Sequence, residues 1–461
     1  MTEAGETVIL SNRLPVHRVK KDGAAAWETS PGGLVSALNP ILRDGSSMWI
    51  GWAGTAASAP KPFTHDGIRN VPIHLTREEL ASYYDGFSNR TLWPLYHDAI
   101  RTPEYRRRWW QPYVDVNRRF AAAAADLVAR NGVVWVHDYH LQLVPAMIRE
   151  ARPDVRIGFF LHIPFPPQEL FAQLPWRTQL LEGLLGADVV GFQTKLGAQN
   201  FRRLCLKFTG ADLRGGHLAT TSGRRVTARA FPISIDVERL ERLAGSAHVD
   251  RRTSQLRARL GEGRRIILGV DRMDYTKGID RRLRAYQELL RAGRRKPADC
   301  VLVQVGVPSR ERVAEYTALR SCVEQLIGQI NGEFGELGRA PVHYLHRSLP
   351  LEELVALYRA ADVMLVTPLR DGMNLVAKEY VAARPDDTGV LVLSEFTGAA
   401  RELTSALLVN PHDIDALEDA IDEALAMPLP EQRRRMRAMR RFIRKHDVFA
   451  WAQALLGTIA G

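Results

Sequence analysis

Apolar runs of strand length alternate with longer amphipathic stretches from one end of this chain to the other, and that alternation restricts the fold more than any other feature. The short runs cover residues 7–12, 48–52, 133–137, 156–162, 188–193 and 228–235, then 265–270, 300–305, 342–345, 362–367, 389–393 and 406–409. Stretches between them, such as 283–291 and 351–359, carry apolar residues at helical spacing. Strand–helix alternation predicts an α/β fold of parallel sheets covered on both faces. Twelve strands exceed what one open sheet usually holds, so two doubly wound domains facing a central cleft are expected. The break is placed after Ile235-Asp236, giving residues 1–236 and 237–446. The tail carries Phe449, Trp451 and Leu455, so a helix over 447–461 is expected to pack by that face on the first domain. Residues 20–26, polar and Gly/Ala-rich, read as a mobile loop.

Composition then limits the setting. With 461 residues, 46% of them hydrophobic, the chain can bury a large core. No run approaches the roughly 18 apolar residues of a membrane span, and residues 1–6 lack a basic stretch before an apolar one. Cys205, Cys300 and Cys322 are odd in number and scattered, which fits reduced thiols. A cytoplasmic protein without membrane contact is expected. The net charge of +11 suits nucleic acid or phosphorylated metabolites alike. The densest basic run, 433–445, has Met436, Met439, Phe442 and Ile443 at helical spacing, so it reads as an amphipathic helix with a solvated Arg face. No nucleic-acid recognition module is visible. The chain has no phosphate-binding loop of the Gly-x-x-x-x-Gly-Lys-Ser/Thr type, no Gly-x-Gly-x-x-Gly after its first strand and no Gly-x-Ser-x-Gly elbow.

In open parallel sheets, ligands bind beyond the carboxyl ends of the strands, and the polar residues gather there. Residues 361–368 form an apolar run leading into Arg370-Asp371-Gly372-Met373-Asn374-Leu375-Val376, where the pattern turns helical. A helix start offers unpaired N–H donors and the positive end of its dipole to an anion. Glu379, further into that helix, is placed to accept from a vicinal diol such as a ribose. Arg272 and Lys277, five apart on a strand-to-helix turn, read as neutralising a departing diphosphate or as a surface charge pair; beside the helix start at 372–376, phosphate is the better reading. Gly32-Gly33 allows close backbone approach to a ligand, or is a plain turn. Arg13 and Arg310 read as ligand cations or as salt-bridge partners. Neighbours in an extended segment point to opposite sides, so His137, Asp138, Tyr139 and His140 cannot converge on one ion, and no metal is expected. Asp138 is read as a hydroxyl acceptor or base. His162 is a core histidine, or is aimed into the cleft by the Pro-Phe-Pro after it. Tyr84 and Trp93 lie in a Gly/Asn-rich segment, 83–94, that reads as a loop, and are either core aromatics or a sugar-stacking surface.

These motifs in this order resemble the trehalose-6-phosphate synthase family. They are Ser-Asn-Arg, Gly-Gly-Leu, Trp-Ile-Gly-Trp, Phe-Ser-Asn with Leu-Trp-Pro, His-Asp-Tyr-His-Leu, Leu-His-Ile-Pro-Phe-Pro, Asp-Tyr-Thr-Lys-Gly and Arg-Asp-Gly-Met-Asn-Leu-Val-Ala-Lys-Glu. The resemblance implies two Rossmann-like lobes (the GT-B arrangement) and metal-independent, cofactor-free transfer of glucose, with retention, from a nucleoside-diphosphate glucose to glucose 6-phosphate. It places the donor on Gly32, Gly33, Arg272, Lys277, Asp371, Gly372, Met373, Asn374, Leu375, Val376 and Glu379. It places the acceptor on Arg13, Tyr84, Trp93, Asp138 and Arg310, and gives catalytic parts to Asp138, His162, Trp93, Arg272 and Lys277. No carboxylate nucleophile is implied: the leaving phosphate takes the acceptor proton on the same face. Residues 344–349, Tyr-Leu-His-Arg-Ser-Leu, depart from relatives with an aromatic there, which leaves UDP-glucose or GDP-glucose open. Homo-oligomerisation is also left open. Rival readings are a glucosylglycerol-phosphate synthase, a pseudo-glycosyltransferase, or a catalytically silent regulatory homologue.

Overall fold

The computed structural model describes residues 5–21, 24–30, 35, 47–56, 59–261, 263–310 and 313–461. It forms two compact units: Met1–Ile233 together with Val448–Gly461, and Ser234–Asp447.

In the first unit the strands are β1 (Gly5–Arg13), β2 (Val16–Lys21), β3 (Ala24–Thr29), β4 (Ser47–Trp52), β5 (Phe63–His65) and β6 (Ile68–Ile73). They continue as β7 (Val128–His137), β8 (Arg156–Phe160), β9 (Val189–Phe192), β10 (Asp212–Arg214), β11 (His217–Ala219) and β12 (Arg225–Ala230). Ten of them make one sheet in the order β10-β11-β12-β9-β8-β7-β1-β4-β6-β5. Its centre is parallel, with β1 between β4 and β7. The chain moves outward from β1 to β4 and β6, then returns to lay β7, β8 and β9 on the other side, so the strand order reverses between β1 and β7. The second unit repeats the plan with β13 (Arg265–Arg272), β14 (Cys300–Val307), β15 (Val342–Leu345), β16 (Val363–Val366), β17 (Val390–Ser394) and β18 (Leu407–Val409). All are parallel, in the order β15-β14-β13-β16-β17-β18, and the reversal falls between β13 and β16. Such a reversal splays the helices that follow its two strands and opens a crevice at their carboxyl ends.

The strands are apolar because both faces are covered. In β16 and β17 every residue is buried. The basic helix Leu429–Lys445 buries Met436, Met439 and Ile443 and leaves most of its Arg side chains at the surface. The terminal helix Val448–Ala460 seats Trp451 against Trp135 and Phe160, at ring-centroid distances of 5.3 and 5.2 Å. Its indole Nε1 donates to the Phe231 carbonyl at 3.1 Å.

Four expectations from sequence are corrected. Residues 20–21 and 24–26 are strand rather than loop, with Lys20 paired to Ala25 and Lys21 to Ala24 in the antiparallel β2–β3 pair, while residues 22–23 lie outside the described residues. That pair is anchored where Trp27 stacks on Phe63 at 4.4 Å. The run 228–235 ends as a strand at Ala230, ahead of Pro232, which has no N–H to give a ladder. Phe449 stays 43% exposed, so the docking face of the last helix is Trp451 and Leu455 without it. The short strands β5, β6, β10 and β11, which are absent from the apolar pattern, extend the first sheet at both edges.

Trp451→Ala should destabilise the first unit by about 3–5 kcal/mol, the usual cost of emptying a buried aromatic site. Denaturant unfolding followed by tryptophan fluorescence would measure it, and a change below about 1 kcal/mol would mean the helix docks without this anchor.

Candidate active site

The first unit gathers its predicted residues around the β1/β7 reversal. β1 runs out into Ser11, Asn12 and Arg13. The Ser11 hydroxyl donates to the Arg13 carbonyl at 2.6 Å and accepts from Trp49 Nε1 at 2.8 Å, which fixes the turn. The Arg13 guanidinium is exposed and lies over the Trp52 ring, 4.7 Å from its centroid. Tyr84 stands beside Trp52 at 6.3 Å and stacks on His140 at 5.7 Å, nearly parallel. The segment carrying Tyr84 is not the expected loop. Leu80–Leu92 winds as a π-helix, continued by a helical turn at Trp93–Tyr96. Gly86 serves close packing rather than a turn, since a β-carbon there would meet the Trp109 ring at 2.7 Å. Asn89 Nδ2 ties to the Tyr84 carbonyl at 2.8 Å, and Tyr139 donates to Asn89 Oδ1 at 2.9 Å. Trp93 is only 3% exposed and packs 5.6 Å from Tyr139, as a core aromatic.

Asp138 follows β7 directly, with φ 74° and ψ 167°. That region is essentially reserved for glycine, and other residues enter it at a cost of about 1–3 kcal/mol. Two contacts hold it there: its N–H donates to the Phe160 carbonyl at 2.8 Å, and its Oδ1 accepts from the His162 N–H at 3.2 Å. His162 is partly exposed, and its Nε2 lies 3.0 Å from His137 Nδ1, so one ring must present a bare nitrogen to the other. Burial, and then the neighbouring His162, push His137 well below the ordinary histidine range. Burial pushes His162 down to about 3. Both imidazoles are neutral at pH 7.

The second unit builds a separate cluster at the β13/β16 reversal. Arg272 ends β13 and is exposed. Asp274, fully buried, accepts from the Thr276 N–H at 3.0 Å and hydroxyl at 2.9 Å, and from Arg310 Nη1 at 3.0 Å. Burial alone would raise its pKa, but the charges of Arg310, Arg272 and Lys277 together hold it below the usual carboxylate value. Lys277 Nζ reaches Asp371 Oδ2 at 2.6 Å, and Asn374 Nδ2 reaches the same oxygen at 3.1 Å. The helix expected from 372 begins later, at Leu375–Ala382, capped by Asn374 Oδ1 on the Ala377 N–H at 3.1 Å. Gly372, Met373 and Asn374 are therefore approach, not helix. The first-turn amides of Leu375 and Val376 have no carbonyl of their own helix to bond. Gly398 backs this approach, because a β-carbon there would lie 2.1 Å from the Gly372 carbonyl oxygen. Gly278 has φ 60° and abuts the Thr367 carbonyl, so it too admits no side chain. Glu379 accepts from the Tyr358 hydroxyl at 2.9 Å, and burial raises its pKa.

Arg282 is the residue that sequence reading missed. Its side chain is 0% exposed, and it donates to Thr367 Oγ1 at 2.9 Å, Asp271 Oδ2 at 2.7 Å and the Lys277 carbonyl at 3.1 Å. The available signal was its place on the helix Ile279–Arg291, on the same face as Ile279, Leu283 and Tyr286. Arg310, to which the resemblance gives the acceptor phosphate, lies in the second unit, where it grips Asp274 and lies over the Tyr316 ring. Gly32 and Gly33 lie outside the described residues. Among the described residues no group of three or more His, Cys, Asp or Glu side chains is arranged to hold a metal ion, and no helix is long and apolar enough to cross a membrane.

Two Rossmann-like units, one ending in cations and helix-start amides and the other in an Arg, aromatics and a carboxylate, are suited to anionic and hydroxylated ligands. The model of glycosyltransferase family 20 matches residues 5–460, and the chain belongs to that family. It is 55% identical over 468 residues to the trehalose-6-phosphate synthase of Mycolicibacterium vanbaalenii, covering 98% of this chain and 95% of that protein. Over 466 residues it is 55% identical to that of Mycobacterium marinum, covering 98% and 93%. Among solved structures it matches an α,α-trehalose-phosphate synthase (UDP-forming) from Burkholderia xenovorans in complex with glucose-6-phosphate: TM-score 0.90, 36% identity, 99% of this chain and 100% of that one. An E. coli protein bound with UDP-2-fluoro glucose matches with TM-score 0.90, 35% identity and 98% of both chains.

Two outcomes test this geometry. Asp138→Gly and Asp138→Ala lose the same carboxylate, so their difference isolates the backbone. The glycine variant should be the more stable by about 1–3 kcal/mol in thermal unfolding, and equal stabilities would show the φ is unstrained. The paired histidines should govern acid sensitivity. A histidine whose folded pKa is depressed contributes stability that is complete above its unfolded value of about 6.5 and is lost as pH falls toward the folded value. Stability should therefore decline from about pH 6.5 toward about 3, and His162→Asn should flatten that decline. An unchanged slope in urea midpoints across this range would remove the pair from the account.

Proposed function

We propose that this chain transfers glucose from a nucleoside-diphosphate glucose to the anomeric hydroxyl of glucose 6-phosphate, with retention, to give trehalose 6-phosphate. What supports this reading is that Arg272 and Lys277 follow β13 while Asp371, bonded by Lys277, and the helix start at Leu375 and Val376 follow the adjacent β16. Bond cleavage places negative charge on the donor's diphosphate. Preorganised cations and N–H dipoles aimed at that charge lower the barrier without reorganising during the reaction. Asp371 and Asn374 orient the Lys277 ammonium for this task, with Gly372 and Met373 forming the close backbone wall. Glu379, held by Tyr358, takes the ribose hydroxyls.

On the acceptor side we assign the sugar phosphate to Arg13 and Tyr84 of the first unit, and sugar hydroxyls to Asp138. Trp93, being buried, acts through Tyr139, next to Asp138. His162, neutral and tied to His137, offers a nitrogen to a sugar hydroxyl without adding charge. Retention follows from same-face attack: the acceptor hydroxyl passes its proton to the departing phosphate oxygen while the new bond forms where the old one breaks. The positions of the two sugars then supply much of the rate. A cytoplasmic setting is supported by Cys205, Cys300 and Cys322, all of them unpaired thiols. The UDP-forming synthase from Burkholderia xenovorans supports uracil as the donor base.

The test is an assay of UDP-glucose and GDP-glucose, each with glucose 6-phosphate and each with unphosphorylated glucose. Glucosyl transfer should be efficient only with the phosphorylated acceptor, and equal turnover of glucose to trehalose would reject the assignment of Arg13. Arg272→Ala should lower turnover by on the order of a hundredfold, the scale of losing one electrostatic donor. Near-normal turnover would contradict its role.

A further inference from the structure

The first unit carries an open pocket of about 670 Å³ beside β8, β9 and β12. Arg156 opens β8, Val189 opens β9, and Arg225 opens β12. The helix Lys195–Phe208 contributes Lys195 and Arg202, and the terminal helix contributes Thr458 and Ile459. None of the residues assigned to sugar transfer lines this pocket. The six residue steps from Arg156 to His162 alone span roughly 20 Å.

The pocket wall is strongly basic. Arg156, Lys195, Arg202, Arg225 and Arg229 all line it, and Asp188 is the only acidic side chain among the lining residues. Asp188 cannot balance them, because its oxygens are already engaged. Oδ2 accepts from Arg149 Nη2 at 2.7 Å and the Ile157 N–H at 2.8 Å, and Oδ1 accepts from Arg224 Nη2 at 3.2 Å. Of the five lining cations, Arg225 is set against the His217 ring and Arg229 over the Phe231 ring at 5.3 Å, so each faces a neutral group. Such a basic surface attracts a multivalent anion. The volume falls in the range of small-molecule pockets, about 300–1,000 Å³. Guanidinium groups favour phosphate oxygens, which they meet with paired N–H donors. A single phosphate would engage only part of such a wall, whereas a run of phosphates would engage most of it.

We propose that this pocket binds a small polyphosphorylated anion, at a site distinct from that of sugar transfer. The shared chemistry is a chain of phosphate groups, supplied either as inorganic polyphosphate or by a nucleotide.

Calorimetric titration of the full chain with inorganic tripolyphosphate, and separately with ATP, tests the proposal. Binding should survive in Lys277→Ala, which impairs the phosphate contacts of the transfer site. It should weaken at least about tenfold in Lys195→Glu/Arg202→Glu, the scale of losing charge-assisted hydrogen bonds, with glucosyl transfer at its wild-type rate. It should also weaken with added salt. Should the charge-reversed protein fold poorly, Arg156→Gln/Arg229→Gln gives the same reading without introducing carboxylates. Equal affinities for the two probes assign the site to the phosphate chain alone, and tighter ATP binding assigns it to a nucleotide. Tripolyphosphate binding that disappears in Lys277→Ala, or that is unchanged in the pocket variants, overturns the proposal.

Discussion

A guanidinium with no exposed surface organises the second unit. Arg282 joins the end of β13 through Asp271, the end of β16 through Thr367 and the turn between strand and helix through the Lys277 carbonyl. Because β13 and β16 are neighbours in the sheet, these bonds lock the two loops across the reversal in one register. Removing one member of a buried ion pair leaves an uncompensated charge and typically costs about 3–5 kcal/mol, so the register cannot drift cheaply. Lys277 is aimed from that frame at Asp371, and the Asn374 cap then sets where the next helix begins.

The first unit reaches a comparable rigidity by other means. Asp138 is held in a glycine-like conformation by β8, and His162 is fixed by His137. Among the described residues, eight other than glycine have positive φ, and Asp138, Arg310 and Asn374 are three of them. Strain at positions that also carry a site's polar groups is the pattern of a frame that over-determines its working side chains. The aromatic array from Trp52 through Tyr84 to His140 adds a flat, polar-edged surface beside Arg13.

Much of this was legible in the sequence, for a physical reason. A strand buried on both faces must be apolar throughout, so polar residues stand out where it ends, and Asp138, Arg272 and Asp371 were found in that way. Arg282 escaped because a charged residue on an amphipathic helix reads as surface unless its partners are known, and those partners come from three other elements. The π-winding of Leu80–Leu92 escaped because Gly86 and Asn89 signal a turn locally, while their actual causes are the Trp109 ring and the Tyr139 hydroxyl, both distant in sequence. The β2–β3 pair escaped for the same reason, its anchor being the Trp27–Phe63 stack rather than any strand-forming run at Ala24–Ala26.

The central claim is that the second unit recognises its ligand by the diphosphate. Comparing the affinity of a nucleoside diphosphate with that of the matching nucleoside, in the wild-type chain and in Lys277→Met, addresses it most directly. The diphosphate should bind the wild type far more tightly than the nucleoside, and Lys277→Met should remove at least about tenfold of that advantage while leaving the nucleoside unchanged. An advantage that survives the substitution intact would contradict the account.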